Sequence, residues 1–342
     1  MSVHDTFAAP RVVHVDPLGR RFDVESAAFE ALGITAVAQR CKTDTEVIAV
    51  AAAAEALLCT GYKVTSELLG SLPHLRVIVR YGVGVDNVDL DAATAHGVMV
   101  CNVPDYCVDE VANHTMALLL GLNRRIVAQH LGIQTDERPA LAPMGPLRGE
   151  VLGLIGWGRL ARAVAERARP FGLRIVAHDP FVANSPDVEL LALDDLLAIA
   201  DYVSVHAPLA PDTHGLIGAA QLARMKPSAY IISTSRGGII DEAALLDAIT
   251  SGVIAGAGLD VWESEPVKPD NPLLAVPNVI GSAHSAYYSD QSELNLRRRV
   301  VEIAAEVLSG RIPSTVVNRT VINRDVVNRH ASTHRADRTA NN

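Results

Sequence analysis

Residues 151–180, VLGLIGWGRLARAVAERARPFGLRIVAHDP, read as a strand, a glycine turn, a helix and a second strand that ends in an acid. Val151–Ile155 is an apolar run of strand length, interrupted by Gly156-Trp157-Gly158. Leu160, Val164 and Ala168 then recur at helical spacing, and 174–177 restores a short strand before Asp179. A dinucleotide needs this order. Gly156 permits the tight turn, Gly158 lets backbone approach a pyrophosphate, and the pyrophosphate sits on the N–H groups that open the helix. Ala161 stands where a third glycine is usual, which predicts a helix slightly farther from the sheet. Asp179 follows Gly156 by 23 residues, close to the spacing at which a carboxylate reaches the adenosine ribose hydroxyls. That carboxylate repels a 2′-phosphate, and Pro180-Phe181 supplies no arginine to neutralise one. NAD is therefore expected over NADP.

The chain around this segment is long enough for two domains, each with its own core, at 342 residues. With 39 acidic and 30 basic residues the formal charge is −9, which gives no reason to expect a nucleic-acid partner. Cys41, Cys59, Cys101 and Cys107 show neither C-x-x-C nor zinc spacing and read as small buried hydrophobes in a reducing compartment. No metal site is expected. Charged residues precede any apolar run at the N-terminus, and no uncharged stretch has membrane-spanning length. The expectation is a cytoplasmic protein without a membrane partner.

Strands are expected at 12–15, 34–38, 56–59, 77–79 and 98–101, with helices at 26–32, 46–53, 65–69 and 90–95 between them. Alternation of this kind implies a parallel sheet covered on both faces. The logic repeats over 151–283, with further strands at 202–206, 230–233, 255–259 and 278–280 and a helix at 241–249. A long apolar helix is expected at 108–122, a loop at 132–148, and a last helix at 292–308. After 318 the composition turns to Arg, Asn, Thr and His without apolar periodicity, and disorder is expected there.

Three polar segments follow apolar strands in the second half: TSRGGIID (234–241), DVWESEP (260–266) and SAHSAYYSDQ (282–291). Ligands of open α/β sheets bind beyond the carboxyl ends of the strands. Arg236 can hold a carboxylate with its fork of donors. His284 can give a proton to a carbonyl oxygen, or take one from a hydroxyl. Glu265, bonded to the far ring nitrogen, would orient the imidazole and favour its protonated form. Each alone has a plainer explanation: a surface ion pair, a turn cap, a satisfied core histidine. Their shared place after strand ends favours chemistry. RYGVGVDNVDL (80–90) is a second glycine loop, and the N–H groups of Val83 and Gly84 are candidates to clamp a substrate carboxylate. A turn that needs glycine only for positive φ explains that loop equally well.

Together these segments resemble the D-isomer-specific 2-hydroxyacid dehydrogenases, from about residue 10 to residue 318. Residues 103–120 (VPDYCVDEVANHTMALLL), HSAYYSDQ and GRIP at 310–313 are most similar to the C-terminal-binding-protein and phosphoglycerate-dehydrogenase-like members. The resemblance implies an α/β fold of two Rossmann-like domains with parallel sheets and a cleft between them. It implies a flavodoxin-like first part of the substrate domain (1–102), an NAD-binding domain (103–290), a helix returning to the substrate domain (291–318) and a tail (319–342). It implies a homodimer that interconverts a 2-keto acid and a D-2-hydroxy acid. Arg236, Glu265 and His284 match the catalytic positions. Thr115, Gly156, Gly158, Arg159, Leu160, Asp179, Pro180, Pro208, Thr213, Thr234, Ser235 and Asp260 match cofactor contacts, Asp260 at the nicotinamide carboxamide, and Val83 and Gly84 match substrate contacts. The chain departs from the family at Ser233 and Ser235, commonly Asn and Ala, and at Ser282-Ala283, commonly Thr-Pro. The 132–148 loop also lacks the tryptophan often found there.

Two other functions fit the same residues. One is an NADH-responsive binding protein, like the corepressor relatives, which keep all three catalytic groups. The other is oxidation of formate or phosphite. Formate-oxidising relatives pair the histidine with glutamine, so Glu265 argues against formate and leaves phosphite open. Tyr62, Tyr81, Tyr106, Trp262 and Tyr287 are candidates to shape the substrate's side-chain pocket.

Overall fold

The computed structural model describes residues 11–17, 21–134 and 144–323. Among them the chain forms two compact units, one running to Tyr106 and resuming at Asp290, the other spanning Cys107–Ser289.

The first unit alternates β1 (Val12–His14), α1 (Asp23–Ala31), β2 (Ala36–Ala38), α2 (Asp44–Ala51), β3 (Ala56–Cys59), α3 (Ser66–Gly70), β4 (Val77–Arg80), α4 (Leu90–Ala95) and β5 (Met99–Cys101). Side-chain caps set the starts of three helices: Thr43 in a capping box with Glu46, Thr65 on the Leu68 N–H, and Asp89 on the Ala92 N–H. The strands pair in parallel in the order β2-β1-β3-β4-β5. Successive residues of a strand face opposite sides. Val13, Leu57, Ile78 and Val100 accordingly bury into one core, while Val12, Leu58, Val79 and Met99 bury into another.

The second unit contains α5 (Val108–Arg124), α6 (Ile126–Gln134), β6 (Val151–Ile155), α7 (Arg159–Ala168), β7 (Arg174–His178), β8 (Glu189–Leu190), α8 (Leu193–Ile199), β9 (Tyr202–Val205), α9 (Ala219–Leu222), β10 (Tyr230–Ser233), α10 (Glu242–Thr250), β11 (Gly256–Leu259) and β12 (Val279–Gly281). Its sheet is also parallel, in the order β12-β11-β10-β9-β6-β7-β8. The chain direction through the sheet reverses between β6 and β9, the place where doubly wound folds bind ligands. Ala161 lies fully buried on α7 with Val164, Ala165 and Ala168, so the short side chains of this face absorb its methyl.

The helix α11 (Asp290–Leu308) returns the chain to the first unit, where Leu296, Val300, Ile303 and Val307 enter the core beside Val12 and Val79. Arg297 anchors it by ion pairs to Asp23 and Glu25.

The α/β class and the paired parallel sheets stand as expected, with strand ends displaced by a residue or two. Three differences are informative. The loop expected from 132 begins inside a helix, because α6 runs to Gln134 with no buried residue; residues 135–143 of that loop lie outside the described residues. The short β8, α8 and α9 had no periodicity long enough to read. The tail expected to be disordered from 319 begins with a 3-10 turn, Arg319–Asn323, whose Val321 is fully buried; 324–342 lies outside the described residues. All four cysteines are buried and free. Among the described residues, no helix is long and apolar enough to cross a membrane.

Candidate active site

The turn between β6 and α7 is built around Gly156, at φ +90°. A Cβ there would lie 3.1 Å from the Ala207 nitrogen and the His206 carbonyl carbon, the chain leaving β9. Glycine is thus required both by backbone conformation and by close approach at the switch point. The Trp157 N–H donates to Asp179 Oδ2 at 2.8 Å and the Phe181 N–H to Oδ1 at 2.9 Å. Asp179 therefore fixes the turn and keeps further lone pairs for other donors. Gly158 is the N-cap of α7 and offers no side chain to its first N–H groups. A Cβ added there would meet nothing within 4 Å. Uncapped donors facing open space suit a pyrophosphate. Arg159 and Leu160 occupy the first turn of the same helix. Across the crevice, Thr213 Oγ1 donates to the Pro208 carbonyl at 2.6 Å and accepts from the Ala210 N–H, which pins the loop after β9.

Two of the residues matched to cofactor contacts are bonded within the protein. Thr115 is fully buried, its hydroxyl donating to the Val111 carbonyl and lying 3.1 Å from that of Thr234. Asp260 is fully buried too. Its Oδ1 accepts from Ser282 Oγ (2.6 Å) and the Ser285 N–H (2.9 Å), and its Oδ2 from the Ala286 N–H (2.9 Å). Both side chains are held by neighbouring groups of the protein in this structure.

The three catalytic candidates all belong to the second unit. Gly237 brings the loop carrying Arg236 against the loop carrying Glu265: a Cβ there would stand 2.0 Å from the Trp262 carbonyl, so only glycine lets the two loops touch. Arg236 Nη1 donates to its neighbour Ser235's carbonyl at 2.8 Å. His284 Nδ1 lies 2.6 Å from Glu265 Oε2, and both side chains are 34% exposed. Glu265 Oε1 accepts from the Trp262 N–H at 3.1 Å. Burial pushes the Glu265 carboxyl up, but the His284 hydrogen bond, the His284 charge, the Trp262 N–H and the Arg236 charge outweigh it and hold it below the usual carboxylate range. An ionised Glu265 fixes the proton on Nδ1, leaving Nε2 for chemistry. His284 itself has φ +51°, a conformation costing about 1–3 kcal/mol for a side chain of this kind. Strain of this kind persists where the surroundings impose it.

Those surroundings include a residue the sequence did not single out as structural. Trp262, expected as a pocket candidate, is 3% exposed and donates through Nε1 to the Ser282 carbonyl at 2.8 Å. It is an internal strut between loops, and the glycines at 237 and 281 that flank it were the available signal. Tyr81 is likewise corrected: it is 2% exposed, stacked on His14 with ring centroids 4.4 Å apart, and bonded to Glu25. Tyr62 is bonded to Asp44. Tyr287 stays beside the site, its ring edge-on to His284 at 6.5 Å. Val83 and Gly84 belong to the first unit, in the loop after β4, where Asn102 Nδ2 donates to the Val83 carbonyl at 2.6 Å.

Comparison with known proteins gives the family. Residues 116–286 match the model of the D-isomer specific 2-hydroxyacid dehydrogenase, NAD binding domain. The chain is 39% identical over 279 residues to a D-3-phosphoglycerate dehydrogenase of Mycobacterium tuberculosis, covering 80% of this chain and 53% of that protein. It is 38% identical over 265 residues to a glyoxylate reductase of Korarchaeum cryptofilum, covering 75% of this chain and 80% of the relative. Among solved structures it is similar to a D-lactate dehydrogenase from Aquifex aeolicus complexed with NAD and lactic acid, with a TM-score of 0.81 and 27% identity over 90% of this chain and 99% of that one. The chain spans about half the length of the D-3-phosphoglycerate dehydrogenases it matches. It belongs to the D-isomer-specific 2-hydroxyacid dehydrogenase family.

Proposed function

We propose that the protein is an NAD-dependent dehydrogenase that interconverts a 2-keto acid and a D-2-hydroxy acid. The observation that carries this reading is the 2.6 Å His284–Glu265 pair with Arg236 beside it, in the unit whose glycine turn suits a dinucleotide. Gly156, Gly158, the first turn of α7 and Asp179 would hold NAD, with Pro208 and Thr213 on the opposite loop. When bound, NADH supplies the hydride. Arg236 binds the substrate carboxylate and so fixes the α-carbon. His284 gives the proton at Nε2 to the carbonyl oxygen, and takes it back in the reverse direction. Glu265 holds the Nδ1 proton and stabilises the imidazolium. Val83 and Gly84 are the first unit's candidates for a substrate contact, through their backbone N–H groups. The ribose-side carboxylate of Asp179 favours NAD over NADP. The named activities of the relatives, on 3-phosphoglycerate, glyoxylate and lactate, support a small 2-hydroxy or 2-keto acid as substrate.

The protein is a homodimer in this reading, and α6 is its first candidate contact. Ile126, Val127, Leu131 and Ile133 are 40–78% exposed on that helix, an apolar surface that a second copy would cover. A cytoplasmic location fits the reduced, buried cysteines. The test is NADH consumption with a panel of 2-keto acids. Turnover of at least one, with the D product, supports the reading. No oxidation of NADH by any of them favours the NADH-responsive binding protein instead.

A further inference from the structure

We propose that His114 and Ser282 are positioning residues for His284, acting through the buried carboxylate of Asp260. The inference rests on the reading of His284 as the acid/base group and names what keeps that group in place.

The loop 282–286 carries His284 at φ +51° and is held by one carboxylate on both sides of it. Ser282, two residues before, gives its hydroxyl proton to Asp260 Oδ1 at 2.6 Å; Ser285 and Ala286, just after, give their N–H groups to Oδ1 and Oδ2 at 2.9 Å. The His284 N–H donates to the Asp260 carbonyl at 2.7 Å. Asp260 follows β11 directly and its N–H donates to the Ser233 carbonyl at the end of β10, so the clamp is anchored to the sheet.

His114, on α5, closes this arrangement. Its Nε2 lies 2.8 Å from Ser282 Oγ and 3.5 Å from Asp260 Oδ1. The single hydroxyl proton of Ser282 is committed to Asp260, so Oγ accepts from His114 and Nε2 carries the proton. The chain His114 N–H to Ser282 O–H to Asp260 is cooperative, each bond polarising the next. A satisfied core histidine would need only one acceptor. His114 instead adds a donor beside a fully buried carboxylate, the group least able to lose one. Its side chain is 25% exposed, so a substitution there leaves the core largely intact. The neighbouring acid on the same helix, Glu110, is bonded by the Ser289 hydroxyl at 2.6 Å. The departure at Ser282 from the family's usual threonine keeps the hydroxyl, which is the part this arrangement uses.

The experiment compares Ser282→Ala, Ser282→Thr and His114→Ala with the wild type in two measurements. The first is kcat and KM with NADH and the best 2-keto acid, with NADH affinity read separately from Trp157 and Trp262 fluorescence. The second is amide hydrogen exchange at 284–286 in the protein without cofactor. Ser282→Ala and His114→Ala should lower kcat about ten-fold or more, leave NADH affinity within about two-fold and speed exchange at Ser285 and Ala286 about ten-fold. Ser282→Thr should restore both measurements. Wild-type kcat in the first two variants overturns the proposal, as does a lowered kcat with unchanged exchange. Wild-type protein that turns over no 2-keto acid refutes the dehydrogenase reading instead, while the exchange measurement still decides whether the clamp exists.

Discussion

The two units share a doubly wound design and treat their switch points in opposite ways. In the first unit the order reverses between β1 and β3, and a side chain of the unit itself takes the backbone donors there. Asp16, just past β1, accepts from the N–H groups of Thr60, Gly61 and Tyr62 at 2.6–2.7 Å. In the second unit the reversal lies between β6 and β9, and the N–H groups opening α7 receive no side-chain cap. Both places concentrate backbone donors that favour an anion. One supplies its own carboxylate, and the other leaves the donors to a ligand. Topology alone therefore does not identify a nucleotide site; the residue standing at the crevice does.

The largest effect that follows concerns chemistry in the second unit. His284→Ala should reduce turnover by about 10²–10⁴-fold while NADH affinity stays near the wild-type value. A wild-type rate in that variant, measured by NADH absorbance, would remove the acid/base role. The comparison itself is sharpened by Gly158→Asp, which builds the first unit's solution into the second. The extended backbone at this N-cap (φ −83°) accommodates an aspartate, and its Cβ would stand in open space. A carboxylate about 4 Å from a phosphate is opposed by about 4 kcal/mol near a protein surface, so NADH affinity should fall about 10²-fold or more. Thermal stability should hold or rise slightly, because aspartate caps a helix somewhat better than glycine does. Calorimetric NADH binding that survives Gly158→Asp would break the argument, and Gly158→Ala controls for bulk.

This contrast also explains how far the sequence could be read. The second unit announced itself because its function needs residues with few substitutes: Gly156 at positive φ, an acid after the next strand, and polar side chains after apolar strands. The candidates Arg236, Glu265 and His284 were picked out on that pattern, and the structure brings His284 and Glu265 together. What was not legible depends on contacts between distant segments. Nothing near Asp16 in the chain says that it bonds to 60–62, and nothing near Trp262 says that it supports the loop at 282. The burial of Thr115 and Asp260 was not legible either, since a family position does not reveal how exposed a side chain is. Short elements such as β8 and α9 lack the two or three periods that pattern reading requires.

Glu265 is the acid of the candidate site whose protonation is shifted. The lowered Glu265 carboxyl stays ionised through neutral and mildly acidic pH, so its pairing with His284 is present above the usual carboxylate range and lost only as pH falls through the lowered value. Glu265→Gln keeps an acceptor for Nδ1 but removes the charge. In the direction of 2-keto acid reduction, the loss of that charge should lower kcat roughly ten-fold near neutral pH. A wild-type kcat in this variant would mean that Glu265 only orients the ring. A smaller effect is expected for Asp179→Ala, which loses a partner for the ribose hydroxyls and a repulsion against a 2′-phosphate. The ratio of NADH to NADPH affinity should fall about ten-fold, and an unchanged ratio would count against Asp179 as the selecting residue.

Asp16→Ala should have the smallest effect on binding and is the most direct challenge to the contrast between the two crevices. Removing the carboxylate leaves three N–H groups after β3 without their acceptor, at a cost of about 2–4 kcal/mol once water reaches some of them. The midpoint of denaturant unfolding should drop accordingly. NADH affinity should not change, because the donors freed in the first unit have neither the open first turn of a long helix nor an acid placed for a ribose. Asp16→Asn separates charge from shape: its single side-chain oxygen replaces part of the acceptor set, so its loss of stability should fall between that of alanine and the wild type. If either variant weakened NADH binding as much as Gly158→Asp, a self-supplied carboxylate could not be what distinguishes one crevice from the other, and the difference would have to lie in the length of the helices that follow.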